Sequence, residues 1–473
     1  MTDIRETAPA ATSPAAPALR TAVERGLPTT IADLCSLVRI PSVSWDAFDA
    51  RQVAASADAV AALVRDLGVF ESVEIKRAGI PGGAELGQPA VLATRAARNG
   101  RPTVLLYAHH DVQPPGDDTD WESNPFEPTV RGDRLYGRGA ADDKAGVMAH
   151  IASIRALLET QGPEFDLGLA LFIEGEEEFG SRSFATFLEE NRESLRADAI
   201  VVADSNNWDI NTPALTTALR GNVTFRLTVR TLDHASHSGM FGGAVPDAMM
   251  AAVRLLGTLY ADDGSVAVAG LTSIDVPTPD YSVEQLRLET GLTEGVGPIG
   301  HGSVLSRIWS QPAITITGID APSVANASNT LTPAVTVRIS TRIAPGQPAD
   351  EAFRALESHL HANAPFGARI DIDDVDMGEA FLVDTGGWAV AETRSAMAEA
   401  WGESPVDIGV GGSIPFIADL VRVFPEAQIL VTGVEDPDSR AHSPNESLHL
   451  GVFKRANLSE AFMLGRLNQR SDG

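Results

Sequence analysis

In YAHHDVQPP (residues 107–115) two histidines and an aspartate follow the apolar run Val104, Leu105 and Leu106. A strand sends alternate side chains to opposite faces, so His109 and Asp111 share a face and His110 points elsewhere. An imidazole that binds a metal through one nitrogen usually gives its other N–H to a carboxylate, which fixes the tautomer and raises the basicity of the ligand. Asp111 is spaced to do this for His109. Taken alone, a His-x-Asp behind a strand is more often an ordinary polar loop, so the rest of the chain has to decide.

Four further clusters have the same character. LYGRGAADDKAG (135–146) sets Asp142 and Asp143 in a turn behind Gly137 and Gly139, which permit unusual backbone angles. An acidic helix start, favoured by the dipole, is the competing explanation. LFIEGEEEFGS (171–181) puts Glu176, Glu177 and Glu178 behind an apolar strand. A solvated charge run would explain them, yet three adjacent carboxylates repel unless cations compensate. IVVADSNNW (200–208) places Asp204 at a strand end, where a cap or turn is the usual role. SRAHSPNE (439–446) puts His442 in a loop. Together these give two histidines and at least three carboxylates at strand ends. That set suits two Zn²⁺ ions sharing a bridging carboxylate, because Zn²⁺ accepts imidazole and carboxylate without thiolate. Cys35 is the only cysteine, which excludes an intrachain disulfide and a thiolate cluster.

The elements that must position these groups are legible in outline. A chain of 473 residues exceeds what one core usually supports, so at least two domains are expected. From about residue 20 to 204, strand-like runs (90–94, 104–108, 167–173, 199–203) alternate with helical patterns (53–67, 146–159, 184–191). This is the pattern of an α/β sandwich with a largely parallel sheet, whose sites collect at the carboxyl ends of the strands. Between about 215 and 384 the order becomes strand (223–229), helix (246–260), strands (313–318, 334–343), helix (349–362) and strand (368–375). That is the split β-α-β-β-α-β pattern of ferredoxin-like domains, with an irregular insert at 261–311. Helix and strand signals resume after Trp388, with a strand expected at 429–433. The expected organisation is a catalytic domain in two parts, 20–214 and 385–473, around an inserted domain, 215–384.

Composition narrows the partners. Lys and Arg number 36 against 64 Asp and Glu, a net charge of −28, which disfavours nucleic acid and anionic membranes. No apolar run approaches the roughly 18 residues that span a bilayer. The first twenty residues, rich in Ala, Pro and Thr, lack the basic start and apolar core of a signal peptide and read as a tail before a helix near Thr21. A soluble, cytoplasmic protein is the expectation.

HHDVQP, GRGAADDKAG, EGEEEFGS, ADSNNW and AHSPNE resemble, in order, the motifs of the dinuclear zinc aminoacylase/carboxypeptidase metallopeptidase family, and within it the carnosinase-like dipeptidases. The likeness runs from IPSVS (40–44) to Leu450. It implies a zinc-peptidase α/β sandwich with an inserted ferredoxin-like α+β lid and dimerisation domain. It also implies two Zn²⁺ per subunit, with Mn²⁺ or Co²⁺ suited to similar ligands. By resemblance His109, Asp142 and Asp204 bind one ion, and Asp142, Glu178 and His442 the other, Asp142 bridging. Asp142–Asp143 matches the family's cis peptide. Glu177 takes the position of the general base, and Asp111 stands behind His109.

In the inserted domain, HASHSGMFGGAVPD (234–247) places His237 at the histidine that, in the family, crosses from one subunit's lid into the other's active site, so a homodimer is implied. A turn or a helix cap is its plain alternative. Arg342 resembles the lid arginine that binds the substrate carboxylate, with Arg338 its same-face neighbour. GVGGSIP (409–415) resembles the loop that meets the same end of the substrate through Gly412 and Ser413. DDKAG, where many relatives read DDKG, departs from the pattern beyond the ligand. The implied activity is hydrolysis of the amide bond of small peptides. An N-acyl-amino-acid deacylase or carbamoylase on the same site is the near rival, which the forms DVQP and EGEEEFGS disfavour. A metal-binding protein without catalysis is the distant one, because Glu177 has no use in holding metal.

Overall fold

The computed structural model describes residues 15–276, 278–411 and 415–470, and these divide into two compact units. The first comprises the described residues up to Thr217, Val383–Asp407 and those from Asp419 onward; the second comprises those within Ala218–Leu382 and Ile408–Ala418.

The first unit is built on a twisted mixed sheet. Its strands run in the spatial order Ser72–Lys76, Ala90–Arg95, Gly168–Glu174, Thr103–His109, Ala199–Val202, Gln428–Val431 and Ala214–Leu219. The middle four are parallel, with His109 opposite Glu174, Tyr107 opposite Val202, and Val431 opposite Val202 on the far side. The outer pairings are antiparallel, so the sheet is parallel only where it carries the clusters. Strands covered on both faces read as continuous apolar runs. Gly168–Glu174 is buried at every position, and Thr103–His109 at all but its first. The helices Ala16–Val38, Lys144–Gln161 and Leu450–Gln469 pack on one another and, through Lys144–Gln161, on the His109 strand. Tyr107, Phe172, Phe184 and Phe187 form an aromatic layer in which the Phe172 and Phe187 rings stack at 4.5 Å.

The first helix starts at Ala16, earlier than Thr21, because Pro17 occupies its first turn, where a missing N–H costs nothing. A small sheet joins Thr129–Arg131, Arg134–Tyr136 and Ser447–His449, setting Ser447 opposite Tyr136. It draws the end of the chain against the turn that holds Asp142.

In the second unit the strands Gly221–Arg230, Ala313–Asp320, Ala334–Ile343 and Arg369–Gly378 form one antiparallel sheet, with Gly221–Arg230 and Ala334–Ile343 at its centre. The helices Ala248–Gly257 and Ala349–Ala362 share its core, which includes Val223, Phe225, Val337, Leu255 and Leu356. This is the ferredoxin-like order. The stretch 261–311 is less irregular than its composition suggests. It holds the helices Val283–Thr290 and Val304–Trp309, each started by a serine, Ser282 or Ser303, whose hydroxyl accepts a backbone N–H.

Candidate metal centre

Parallel register explains why residues distant in sequence meet. The strands ending at His109, Glu174, Val202 and Val431 deliver their following segments to one edge of the sheet. Asp111, Glu177, Glu178, Asp204 and Glu435 leave from that edge. Asp142 is brought there by the start of the helix Lys144–Gln161, and His442 by the segment before Ser447–His449.

The two imidazoles converge on one carboxylate. Nε2 of His109 lies 3.1 Å from Oδ1 of Asp142, and Nε2 of His442 lies 3.0 Å from Oδ2 of the same residue. Nε2 of His109 is also 3.8 Å from Oδ1 of Asp204 and 3.9 Å from Oε2 of Glu177. Nε2 of His442 is 3.2 Å from Oε2 of Glu178. Two three-residue groups thus share Asp142: His109 with Asp204 on one side, His442 with Glu178 on the other. Among the described residues, His109, Asp142 and Glu178 place donor atoms within 4.8 Å of one another, as do His109, Asp143 and Asp204, and also Asp142, Asp204 and Glu435.

The supporting shell is as specific as the donors. Asp111 carries two loads. Its backbone carbonyl is 3.1 Å from Nδ1 of His109 and its carboxylate 3.4 Å from the same nitrogen. The carboxylate also accepts the backbone N–H of Glu177 on one oxygen and that of Glu178 on the other, each at 3.1 Å. The three consecutive glutamates divide their work. Glu176 turns back to accept from Ser183 and Gln88, while Glu178 accepts from Gln113 at 2.7 Å and Glu177 is left facing the centre. Buried Glu446 accepts the N–H groups of Gly139, Ala141 and Asp142 and pairs with Arg138 at 2.7 Å. The chain at Gly139 has φ +79°, and a Cβ there would lie 2.5 Å from Val112, so only glycine makes this turn. The Asp142–Asp143 peptide is cis. His110 turns away and bonds the Pro89 carbonyl at 2.9 Å.

So many buried acids with only two imidazoles leave negative charge unbalanced, and this sets the direction in which each group's pKa moves. Burial, reinforced by Asp204, Glu178 and Asp142 against the pull of His109, holds Glu177 well above the usual carboxyl range. Burial and then Asp142 push Glu178 up to about 7, and burial pushes Asp204 up to about 6. Asp142 instead falls below its usual range, since hydrogen bonds from both histidines outweigh its burial. His442 is pushed up to about 11 by its bonds to Asp142 and Glu178. Protons are thus held where cations would lower the energy. Imidazole and carboxylate donors without sulfur, in two groups with one shared member, fit a pair of divalent ions of the zinc, manganese or cobalt type.

The remaining candidates lie in the second unit. His237 ends the short strand Ser236–His237, paired with Thr330–Leu331, and its Nδ1 accepts the N–H of Gly239 at 3.0 Å, so it does cap the turn that follows. Arg338 is paired with Asp374 at 2.6 Å, whereas Arg342 has no acidic partner among the described residues. Gly412 and Ser413 lie outside the described residues. Three groups escaped the sequence reading. Glu435 stands behind a strand as its fellows do, but VEDPD reads as a turn. The anchoring by Glu446 and the second load on Asp111 depend on pairings that no local pattern displays.

The fold and the centre define a candidate metal site at the strand ends of an α/β sandwich. Residues 105–458 match the model of Peptidase family M20/M25/M40, and the chain belongs to that family. It is 33% identical over 368 residues to a cysteinylglycine-S-conjugate dipeptidase of Corynebacterium striatum, covering 77% of this chain and 80% of the relative. It is 28% identical over 440 residues to a Cys-Gly metallodipeptidase of Schizosaccharomyces pombe, covering 89% and 91%. The solved structure of the dipeptidase Dug1p of Saccharomyces cerevisiae shares the fold, with a TM-score of 0.74 and 23% identity over 98% of this chain and 100% of that one. No helix among the described residues is long and apolar enough to cross a membrane.

Proposed function

We propose that this protein is a cytoplasmic, homodimeric dizinc dipeptidase that cleaves the amide bond of small peptides. The observation that carries the reading is the sharing of Asp142 between His109 and His442, with Glu177 close by and outside both three-residue groups. His109, Asp142 and Asp204 would hold one ion, and Asp142, Glu178 and His442 the other. When bound, the pair polarises the scissile carbonyl and lowers the pKa of the attacking water.

Glu177 takes the water's proton and passes it to the leaving amine. Asp111 holds the backbone of Glu177 and Glu178 in place and orients His109. His237, from the lid of the partner subunit, donates to the developing oxyanion. Since its Nδ1 already accepts from Gly239, the neutral ring carries its proton on Nε2, the donor the role requires. Arg342, left without an acid, pairs with the substrate's terminal carboxylate, and Gly412 and Ser413 meet the same end. The relatives are named for Cys-Gly dipeptides, which supports a small dipeptide as the substrate.

The test is hydrolysis of a panel of dipeptides and N-acyl amino acids by purified protein, with and without chelator. Chelator-sensitive cleavage of dipeptides in preference to N-acyl amino acids is expected. The reverse preference would make the protein a deacylase.

A further inference from the structure

Glu435 is only 8% exposed, and among the described residues it is the one buried acid whose carboxylate accepts no hydrogen bond and has no cation within ion-pair distance. The other buried acids are met. Glu446 accepts three backbone N–H groups, Glu460 takes His150 and Ser153, Asp436 takes Arg134, and Glu174 accepts the Tyr107 hydroxyl at 2.6 Å. Removing a carboxylate from water without a donor or a cation is costly, so an unmet one inside a fold calls for a partner.

Its place is set by two segments that leave adjacent parallel strands together. Val431 lies opposite Val202, and the N–H of Thr432 donates to the Val202 carbonyl at 2.9 Å. Beyond the strands, the N–H of Asn207 donates to the Glu435 carbonyl at 2.9 Å, and the buried Asn207 side-chain amide donates to the carbonyls of Gly433 and Glu435, each at 3.0 Å. Gly433 permits this approach, because a Cβ there would lie 1.5 Å from the Ser205 carbonyl oxygen. Glu435 is thereby held close to Asp204, and Asp142, Asp204 and Glu435 bring donor atoms within 4.8 Å of one another. Three carboxylates this close repel unless a cation lies among them. Asp142 and Asp204 are also the acids that, with His109, would hold one ion.

We propose that Glu435 is a fourth protein ligand of the ion held by His109, Asp142 and Asp204. The inference rests on the two-ion reading and deepens it by making the two positions unequal. One position has an imidazole and three carboxylates; the other, with Asp142, Glu178 and His442, has an imidazole and two. Four protein donors complete the usual zinc set, whereas three leave a place for water or substrate. The ion on the His109 side is therefore the tighter of the two.

The experiment takes metal-stripped wild type, Glu435→Gln and Glu435→Asp, and titrates each with zinc against a competing chelator and with cobalt while its visible absorption is recorded. The wild type should bind two ions, one more tightly. In Glu435→Gln the tighter ion should weaken at least about 10-fold, the smallest loss usual when a group supporting a metal is removed, and the other should change little. The cobalt band of the first equivalent should shift in the same variant, since that band reports the donors themselves. Glu435→Asp keeps the carboxylate but shortens its reach. It should weaken the same ion by less, and it decides the matter should Glu435→Gln not fold. Unchanged affinities, an equal loss at both ions, or a weakened ion whose cobalt band stays in place would overturn the ligand role. A wild type that binds a single ion refutes the two-ion reading instead, and Glu435 is then judged on that ion by the same changes in affinity and band. A wild type that binds neither metal overturns both.

Discussion

His109 and His442 meet through a single carboxylate: Asp142 turns Oδ1 to the first at 3.1 Å and Oδ2 to the second at 3.0 Å. One histidine ends a central strand and the other belongs to a loop near the chain's end. What holds the relationship is Glu446, which accepts the N–H of Asp142 and lies four residues beyond His442. The same segment therefore supplies a donor to the centre and fixes the backbone of the residue that donor faces.

Glu177→Gln should keep both metal ions and lose turnover by about 10²–10⁴, the range for a general acid–base group. The amide preserves shape but cannot accept the proton. Metal content measured beside kcat checks this, and a near-normal rate with full metal would remove Glu177 from the mechanism.

Zinc affinity should fall as pH is lowered. In the metal-free centre Glu178 and Asp204 hold their protons up to about 7 and about 6, and His442 up to about 11. Binding needs the carboxylates ionised and the imidazole neutral, so zinc displaces protons, and lower pH strengthens the competitor. Affinity measured by chelator competition from about pH 8 to about pH 5 should drop most steeply through the carboxyl range, with protons released on binding. An affinity independent of pH would contradict the ligand set.

Asp111→Asn should weaken metal binding about 10–100-fold, as is usual when a group orienting the ligands is lost. An amide has one oxygen for the two N–H groups of Glu177 and Glu178 and presents a donor to the other. Excess zinc should restore part of the activity. Unchanged affinity would reduce Asp111 to a bystander.

Much of this was legible in the sequence, for a definite reason. A strand end followed by an acid or a histidine is a local pattern, and parallel pairing places every such end on one edge. The clusters around His109, Asp142, Glu178, Asp204 and His442 could therefore be read before the fold was known. Partnerships across the chain could not. Nothing near Glu446 announces that it will accept three N–H groups from residues 139–142. The insert at 261–311 reads as irregular although Ser282 and Gln285 carry a helix-start signal, because Gly and Pro interrupt the sequence on both sides of it.

The crossing of His237 between subunits can be separated from a self-contained site by mixing two inactive chains. His237→Ala should reduce turnover about 10²–10³-fold, as for a lost oxyanion donor. After subunit exchange with Glu177→Gln, each mixed dimer should contain one site with both residues intact and recover close to half the wild-type rate. Mixed dimers that form and stay inactive would place His237 outside the partner's site.

The central claim is that two ions share Asp142 and that both are needed to cleave a dipeptide. Stripped protein titrated with zinc, while dipeptide hydrolysis is followed, tests it most directly. Activity should be absent at the start and level off at two equivalents per chain, and Asp142→Ala should neither bind tightly nor recover. Hydrolysis that survives stripping, a plateau at one equivalent, or two tightly held ions in Asp142→Ala would contradict the account.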